Sequence, residues 1–304
     1  MPSSSRTPDA ADRSARSGLI AVFIAFFIWG LFPLYLKPLN SIPALQIAAW
    51  RYVMGCLVVV GWIAWRGELK ALWQALLTPA LLRRLSVTAS LLAVNWTTYA
   101  WGVAHGQVLF TSLGYFISPL VNVLLGVLVL SERLDRAQWS AVVIASSGVV
   151  ALTVQAGQFP WIALVLAGTF SLYGLLRKTS PVAALPGLAV ETLLVSPLAC
   201  GYLIWAQQQQ GELLPHSPLM LVLLAMSGVA TVVPLTLFNY GARLISYTTV
   251  GMLQYVGPTL QFLLGVFLYK EALSPARLAS FGLIWLALLI YAADGMRRTN
   301  MRPV

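Results

Sequence analysis

The sequence predicts an all-α membrane protein with ten transmembrane helices, arranged as two inverted five-helix repeats. Three observations lead to this fold class. The chain of 304 residues is 59% hydrophobic and only 9% charged, more apolar than a soluble domain of this size. Apolar runs of about 20 residues, long enough to cross a hydrocarbon core as a helix, follow one another with short connections. In addition, one segment of the first half recurs in the second half.

The apolar runs show no alternation of polar and apolar residues, so they indicate helices rather than barrel strands. We predict spans at 18–36, 43–65, 85–104, 111–130 and 137–154, and then at 159–176, 183–205, 218–240, 248–269 and 277–293. A short amphipathic helix over 69–77 is expected to lie along the inner surface. The resulting organisation is a cytoplasmic tail (1–17), a first five-helix repeat (18–154), a second one (159–293) and a second cytoplasmic tail (294–304).

Basic residues predict the orientation, because cytoplasmic loops carry the excess of Lys and Arg. With both termini inside, 15 Lys and Arg residues lie on the cytoplasmic side, and only Lys37, Lys270 and Arg277 lie on the other. The net charge of +10 is spread over these short clusters, so it indicates topology in a lipid bilayer rather than a nucleic-acid partner. We therefore expect a multi-pass protein of the bacterial inner membrane with both termini in the cytoplasm.

The internal repeat is carried by one segment in each half. Residues 115–126 align with residues 254–265 at a constant offset of 139, and the same offset maps Glu132 onto Glu271. Because each half holds an odd number of spans, the second half enters the membrane in the opposite sense, which defines an inverted repeat. Both segments contain a proline inside a span, and we expect Pro119 and Pro258 to kink their helices.

Two charged residues lie well inside predicted spans. An ionisable group in the bilayer core costs about 2.5 to 3.5 kcal/mol on insertion scales, so each is a functional hypothesis. We expect Arg51 and Glu191 to pair across the two halves at the wall of a central cavity. The alternative is a purely structural ion pair in a dry bundle, and the sequence leaves the two readings open.

Uncharged residues complete the predicted cavity. Amides in mid-span bind substrates or join helices, and aromatic rings stack on substrates or anchor the protein at the membrane interface. The repeat favours Asn122 and Gln261, because they occupy corresponding positions of the two halves. The full predicted set for the substrate cavity is Trp29, Arg51, Asn95, Trp96, Tyr115, Asn122, Glu191, Tyr255 and Gln261.

These features favour a secondary transporter, a permease or exporter of a small metabolite or drug-like compound that works by alternating access. No nucleotide-binding motif, cofactor motif or metal-ligand spacing is present, and Cys56 and Cys200 fall singly inside apolar runs. The alternatives are an intramembrane enzyme, which would need catalytic residues that we do not find, and a non-transporting membrane sensor. We predict a small-molecule substrate, with protons as a candidate coupling ion, and make no prediction of the oligomeric state.

Several motifs also carry a family resemblance that runs nearly end to end. They include Phe27-Ile28-Trp29-Gly30, Asn95-Trp96, Ser112 to Asn122, Tyr173-Gly174-Leu175 with Arg177-Lys178, Glu191-Thr192, and Gln254 to Thr259. On these motifs the chain resembles the drug/metabolite transporter superfamily, specifically the EamA-type permeases of the RarD group. The resemblance implies ten helices, cytoplasmic termini and a substrate cavity between the halves, but no defined cargo. The chain departs from the group's pattern at Gln46, Trp50 and Phe110, where we expect Glu, His and Glu.

Overall fold

The computed structural model describes residues 8–155, 157–210, 217–270 and 275–300. This part of the chain consists of helices and connections, without a β-strand, so the predicted all-helical architecture is confirmed. The helices are α1 (Pro8–Gly30), α2 (Phe32–Leu36), α3 (Ala44–Trp65), α4 (Leu69–Leu77), α5 (Pro79–Ala104), α6 (Val108–Leu128), α7 (Arg136–Gln155), α8 (Trp161–Lys178), α9 (Ala184–Gln210), α10 (Pro218–Ala242), α11 (Tyr247–Gln254), α12 (Val256–Leu263) and α13 (Pro275–Asn300).

Length and hydropathy identify membrane-spanning segments among the described residues. Seven segments are long and apolar enough to cross a membrane, and an eighth is obtained if α4 and α5 count as one span. These two helices meet at a bend of 95°, so α4 lies across the direction of α5. Leu72 and Ala75 bury one face of α4 while Trp73 remains 58% exposed, which fits an amphipathic helix at a membrane surface.

The terminal helices are longer than the predicted spans. Helix α1 begins at Pro8, inside the expected N-terminal tail, and α13 continues to Asn300, inside the expected C-terminal tail. The residues around Asp12 and Arg16 are good or neutral helix formers, so a helix that starts in the membrane propagates beyond it with little cost. The parts described as tails are therefore partly helical.

Helix packing brings the two halves of the chain into direct contact. Helix α3 packs on α9, α6 on α11, α7 on α13, α1 on α10 and α5 on α8. Small residues permit close approach: a Cβ atom at Gly241 in α10 would lie 2.6 Å from the backbone oxygen of Gly18 in α1. The main hydrophobic core, which includes Phe26, Leu92 and Phe238, therefore joins helices from both halves.

The two proline-containing segments differ in regularity. Helix α6 runs without a break through Pro119, whereas the corresponding segment is divided at Tyr255 into α11 and α12 and ends in a π-helical turn over Leu264–Leu268. Pro258 has no N–H to donate to the carbonyl of Gln254, four residues before it, and the interruption falls between these two residues, whereas α6 continues through Pro119 despite the same missing donor. Glu271, the expected counterpart of Glu132, lies outside the described residues.

Candidate functional site

Arg51 projects from α3 into a cluster of aromatic rings of the first half and contacts one residue of the second half. Its Nε donates a hydrogen bond to the Oγ1 of Thr231 in α10, 3.1 Å away. Its Cζ lies 4.0 Å from the ring centroid of Trp96 in α5 and 5.0 Å from that of Phe32 in α2, which are cation–π distances. Arg51 as a whole residue is partly buried. We call these four residues and the tyrosines described next the Arg51 cage.

Four tyrosines complete the Arg51 cage. Tyr35, Tyr52, Tyr99 and Tyr115 are the titratable side chains that influence the guanidinium electrostatically. The ring of Tyr52 packs on Trp96 with centroids 4.5 Å apart, and Tyr99 meets Tyr115 edge to face at 6.1 Å. Tyr115 retains 36% of its surface. The arrangement combines one fixed positive charge with several flat apolar surfaces.

Glu191 lies in a second, separate cluster that is fully buried. Its carboxylate accepts a hydrogen bond from Thr88 at 2.6 Å and one from Tyr173 at 3.3 Å, while Asn239 donates to the Tyr173 hydroxyl at 2.8 Å. Arg177 forms the ion pair, with 3.5 Å between its Nε and the Glu191 carboxylate. Only 1% of either charged side chain is exposed. We call these five residues the Glu191 cluster.

The expected direct contact between Arg51 and Glu191 is therefore wrong. Among the described residues Arg51 forms no ion pair, and the counter-ion of Glu191 is Arg177. The count of basic residues includes Arg177 among those of the cytoplasmic side, because it follows the predicted span 159–176. In the structure Gly187 of α9 provides the space for it, since a Cβ atom there would overlap the guanidinium.

Basic residues also fasten the adjoining helix ends. Arg177 donates to the backbone oxygens of Ala183 and Ala184, and Lys178 donates to those of Ala242 and Ile245 at 2.8 and 2.5 Å. Partial burial lowers the pKa of Lys178. These bonds satisfy carbonyl groups that helix ends and turns leave unpaired. They hold the ends of α8 and α10 and the start of α9 together.

The predicted amide residues lie in helix contacts rather than in the Arg51 cage. Asn95 in α5 donates to the Leu166 oxygen and to Thr169 in α8, both at 2.9 Å. Asn122 in α6 is buried and donates to Gln254 in α11 at 2.6 Å. The amide of Gln261 lies 3.4 Å from the backbone oxygen of Trp29. These amides join helices.

The predicted aromatic residues divide between the cage and the core. Trp96 and Tyr115 belong to the Arg51 cage, whereas Trp29 packs against Phe26, Phe170 and Phe238 in the main core. Tyr255 is buried against α6. Of the nine predicted residues, the structure thus brings Arg51, Trp96 and Tyr115 together.

Sequence reasoning missed several members of the two clusters. Thr88, Thr231, Tyr173 and Asn239 are ordinary polar residues in apolar spans, and no spacing in the sequence relates them to Arg51 or Glu191. The sequence does contain a feature that could have identified Tyr52 as a candidate site residue. It follows Arg51 directly, and the offset of 139 residues aligns it with Glu191.

A groove of about 600 Å³ lies beside the Glu191 cluster, since Ala183 and Ala184, which accept hydrogen bonds from Arg177, line it. It is bounded by α4, the start of α9 and α10, with Lys70, Leu185 and Tyr240 among its lining residues. None of the predicted cavity residues contributes to it.

Comparison with known proteins identifies the family to which the chain is similar. The family model described as "EamA-like transporter family" matches residues 16–154. An uncharacterized transporter of Pseudomonas aeruginosa is 43% identical and is aligned over 96% of this chain and 99% of its own length. The protein RarD of Escherichia coli is 37% identical, over 95% of this chain and 99% of its own.

A further relative and one solved structure also match over nearly the whole length of this chain. The uncharacterized transporter YojE of Bacillus subtilis is 40% identical over 91% of this chain and 93% of its own length. A crystal structure that is 18% identical superposes with a TM-score of 0.71 and covers 93% of this chain and 98% of that one. At that identity the superposition supports the fold alone.

Proposed function

Because the chain belongs to the EamA-like transporter family, in the RarD group of the drug/metabolite transporter superfamily, we propose that it carries a small organic molecule across the bacterial inner membrane by alternating access. The observation that carries the proposal is the position of the Arg51 cage. Arg51, Trp96 and Tyr115 come from the first half of the chain, and Thr231 comes from the second. A site shared by two halves opens to either side when the halves move relative to one another.

Helix packing supports ten spans in two inverted repeats. The offset of 139 residues carries α3 onto α9, α5 onto α10, α6 onto α11 and α12, and α7 onto α13. In three of these pairs (α3 with α9, α6 with α11, and α7 with α13) the corresponding helices pack directly on each other. Corresponding elements meet in this way when a pseudo-two-fold axis passes between them.

The Glu191 cluster gives the transport cycle a candidate gate. With both termini in the cytoplasm, Arg177 and Lys178 lie at the cytoplasmic end of α8, on the inner side of Arg51. The bonds of this cluster join α5, α8, α9 and α10. In an alternating-access cycle these contacts have to separate before a substrate in the Arg51 cage can reach the cytoplasm.

Reconstitution tests the proposal. Purified protein in proteoliposomes is exposed to a mixture of metabolites and drug-like compounds, and the retained compounds are identified by mass spectrometry. We expect saturable uptake by the wild type, loss of uptake in Arg51→Met, and normal uptake in Arg66→Met. Arg66 is the matched control, because its side chain is 52% exposed and pairs with Glu68 at the surface.

Two results would contradict the proposal. Uptake at the wild-type rate by a folded Arg51→Met variant would place the substrate site elsewhere. A folded wild-type protein that moves none of the compounds, with or without a proton gradient, would contradict transport itself.

A further inference from the structure

Among the described residues, no carboxylate forms an ion pair with Arg51. Arg51 keeps its proton in proteins, and a charge inside the membrane needs a counter-charge or water. Two described carboxylates of the helix bundle are engaged elsewhere: Glu191 pairs with Arg177, and Glu132 accepts hydrogen bonds from the start of α11. Among the described residues, the groups that influence Arg51 electrostatically are tyrosines, which are neutral at physiological pH.

The guanidinium also retains free hydrogen-bonding capacity. Its Nε is used by Thr231, and Trp96 and Phe32 lie at cation–π distance, where a ring interacts with the charge without accepting an in-plane N–H. Among the described residues, no acceptor binds the two terminal nitrogens of Arg51. The N–H groups of guanidinium match the two oxygens of a carboxylate, so this free edge is suited to a bidentate contact.

The rest of the Arg51 cage determines what accompanies the anionic group. Tyr52 and Trp96 form one aromatic pair, and Tyr99 and Tyr115 form another. Flat apolar surfaces of this kind favour planar ligands, because aromatic pairs gain about 0.5 to 1.5 kcal/mol beyond their area burial. A cationic ligand meets the opposite situation, since Arg51 repels it and the cage has no carboxylate to compensate.

From these observations we propose that the Arg51 cage selects organic anions, specifically carboxylates attached to an aromatic ring system, with Arg51 binding the carboxylate and the aromatic pairs binding the ring. The proposal rests on the proposed function and adds the chemical class of the ligand. Neutral compounds of the same shape bind weakly, because they leave the Arg51 charge without a partner. Cations that carry an aromatic ring, such as arylalkylammonium ions, are excluded.

The test compares three probes of one shape with purified wild-type protein: phenylacetate, its neutral amide phenylacetamide, and the cation phenethylamine. Binding is measured by isothermal titration calorimetry and by the shift in melting temperature. We expect phenylacetate to bind at least about tenfold more tightly than the amide, and the amine not to bind. Acetate measures the contribution of the ring, and we expect it to bind more weakly than phenylacetate.

Variants connect the selectivity to the cage. Arg51→Lys keeps the charge but loses the planar pair of donors, so we expect about tenfold weaker phenylacetate binding, and Arg51→Met should abolish it. Trp96→Leu should weaken phenylacetate while leaving acetate unchanged, and Arg66→Met should leave both unchanged. If Arg51→Met does not fold, Arg51→Lys and the wild-type comparison of acid with amide still decide the question.

The inference is overturned if the amide binds as tightly as the acid, if a folded Arg51→Met variant still binds phenylacetate, or if phenylacetate does not bind to the wild type. Transport is judged separately by flux. Binding of phenylacetate that depends on Arg51, without flux of any compound, upholds the ligand class and contradicts the transport cycle. Flux of neutral or cationic compounds without phenylacetate binding upholds transport and contradicts the ligand class.

Discussion

The hydroxyl group of Tyr255 lies 3.4 Å from the backbone oxygen of Phe116, and these two residues occupy the same place in the repeated segments, 139 positions apart. Residues related by a two-fold axis touch each other only close to that axis. The contact therefore marks the line about which α6 and the pair α11 and α12 are related in the proposed repeat. Asn122 and Gln254 meet on the same helix interface.

Close packing at this interface leads to a first prediction. A Cβ atom at Gly251 in α11 would lie 2.7 Å from the oxygen of Pro119 and 3.1 Å from the Cβ of Asn122, so α6 and α11 would have to separate. We expect Gly251→Ala to destabilise the protein by about 1 to 3 kcal/mol. Thermal unfolding in detergent measures the change. Gly168→Ala in α8 is the control, because the space around that glycine is open, and equal stability of the two variants would contradict the packing argument.

A second prediction concerns the buried ion pair. Arg177→Met leaves Glu191 charged and without a counter-ion, which costs about 3 to 5 kcal/mol, whereas Arg177→Met combined with Glu191→Leu should recover most of the loss. The exposed pair of Arg66 and Glu68 is the matched control, and breaking it should cost no more than about 1 kcal/mol. The measurement is the melting temperature of four proteins: the wild type, Arg177→Met, the double variant, and a variant in which the Arg66–Glu68 pair is broken. A double variant no more stable than Arg177→Met would show that the charges are not coupled.

A third prediction concerns the start of α11. Glu132 accepts hydrogen bonds from the backbone N–H groups of Tyr247 and Thr248, at 2.5 and 2.8 Å, and one from the Thr248 hydroxyl at 2.7 Å. A carboxylate at a helix N-terminus satisfies unpaired donors and the helix dipole, so Glu132→Ala should cost about 1 to 2 kcal/mol. Thermal unfolding compares it with Glu68→Ala, for which we expect little change. Equal melting temperatures would show that the cap contributes nothing.

A fourth prediction concerns orientation. Because 15 of the Lys and Arg residues lie on one side of the predicted spans, both termini should be cytoplasmic. A fluorescent protein fused after Val304 should fold and fluoresce, whereas alkaline phosphatase at that position should be inactive. A phosphatase fusion in the loop that follows Lys37 should be active. The reverse pattern would contradict the orientation.

Much of the fold could be predicted from the sequence, because apolar runs bounded by charged residues report helix limits directly. The predicted span 43–65, for example, corresponds to α3 at Ala44–Trp65. The amphipathic spacing from Leu69 to Leu77 likewise predicted α4. Helix ends outside the bilayer were less predictable, because no change in hydropathy marks where α13 stops. The membership in the drug/metabolite transporter superfamily was also predicted correctly from motifs.

The partners of the charged residues could not be predicted in the same way. Depth along a helix can be counted in a sequence, but the direction in which Arg51 and Glu191 point depends on helix rotation. Arg177 was the harder case, since its burial depends on the missing side chain of Gly187 in the next helix. The family motifs gave better guidance for aromatic residues, because Trp96 and Tyr115 lie in those motifs and belong to the Arg51 cage.

The charge of Arg51 has an electrical consequence. One elementary charge that crosses the whole membrane exchanges about 2.3 kcal/mol with a potential of 100 mV, and a charge that crosses part of the field exchanges that fraction. In the proposed transport cycle, an empty Arg51 cage carries one positive charge through each reorientation, whereas a cage that holds a monovalent anion is neutral. Voltage therefore acts on the return of the empty protein and not on the loaded step. Anion-for-anion exchange should proceed independently of the membrane potential, while net transport in one direction should respond to it.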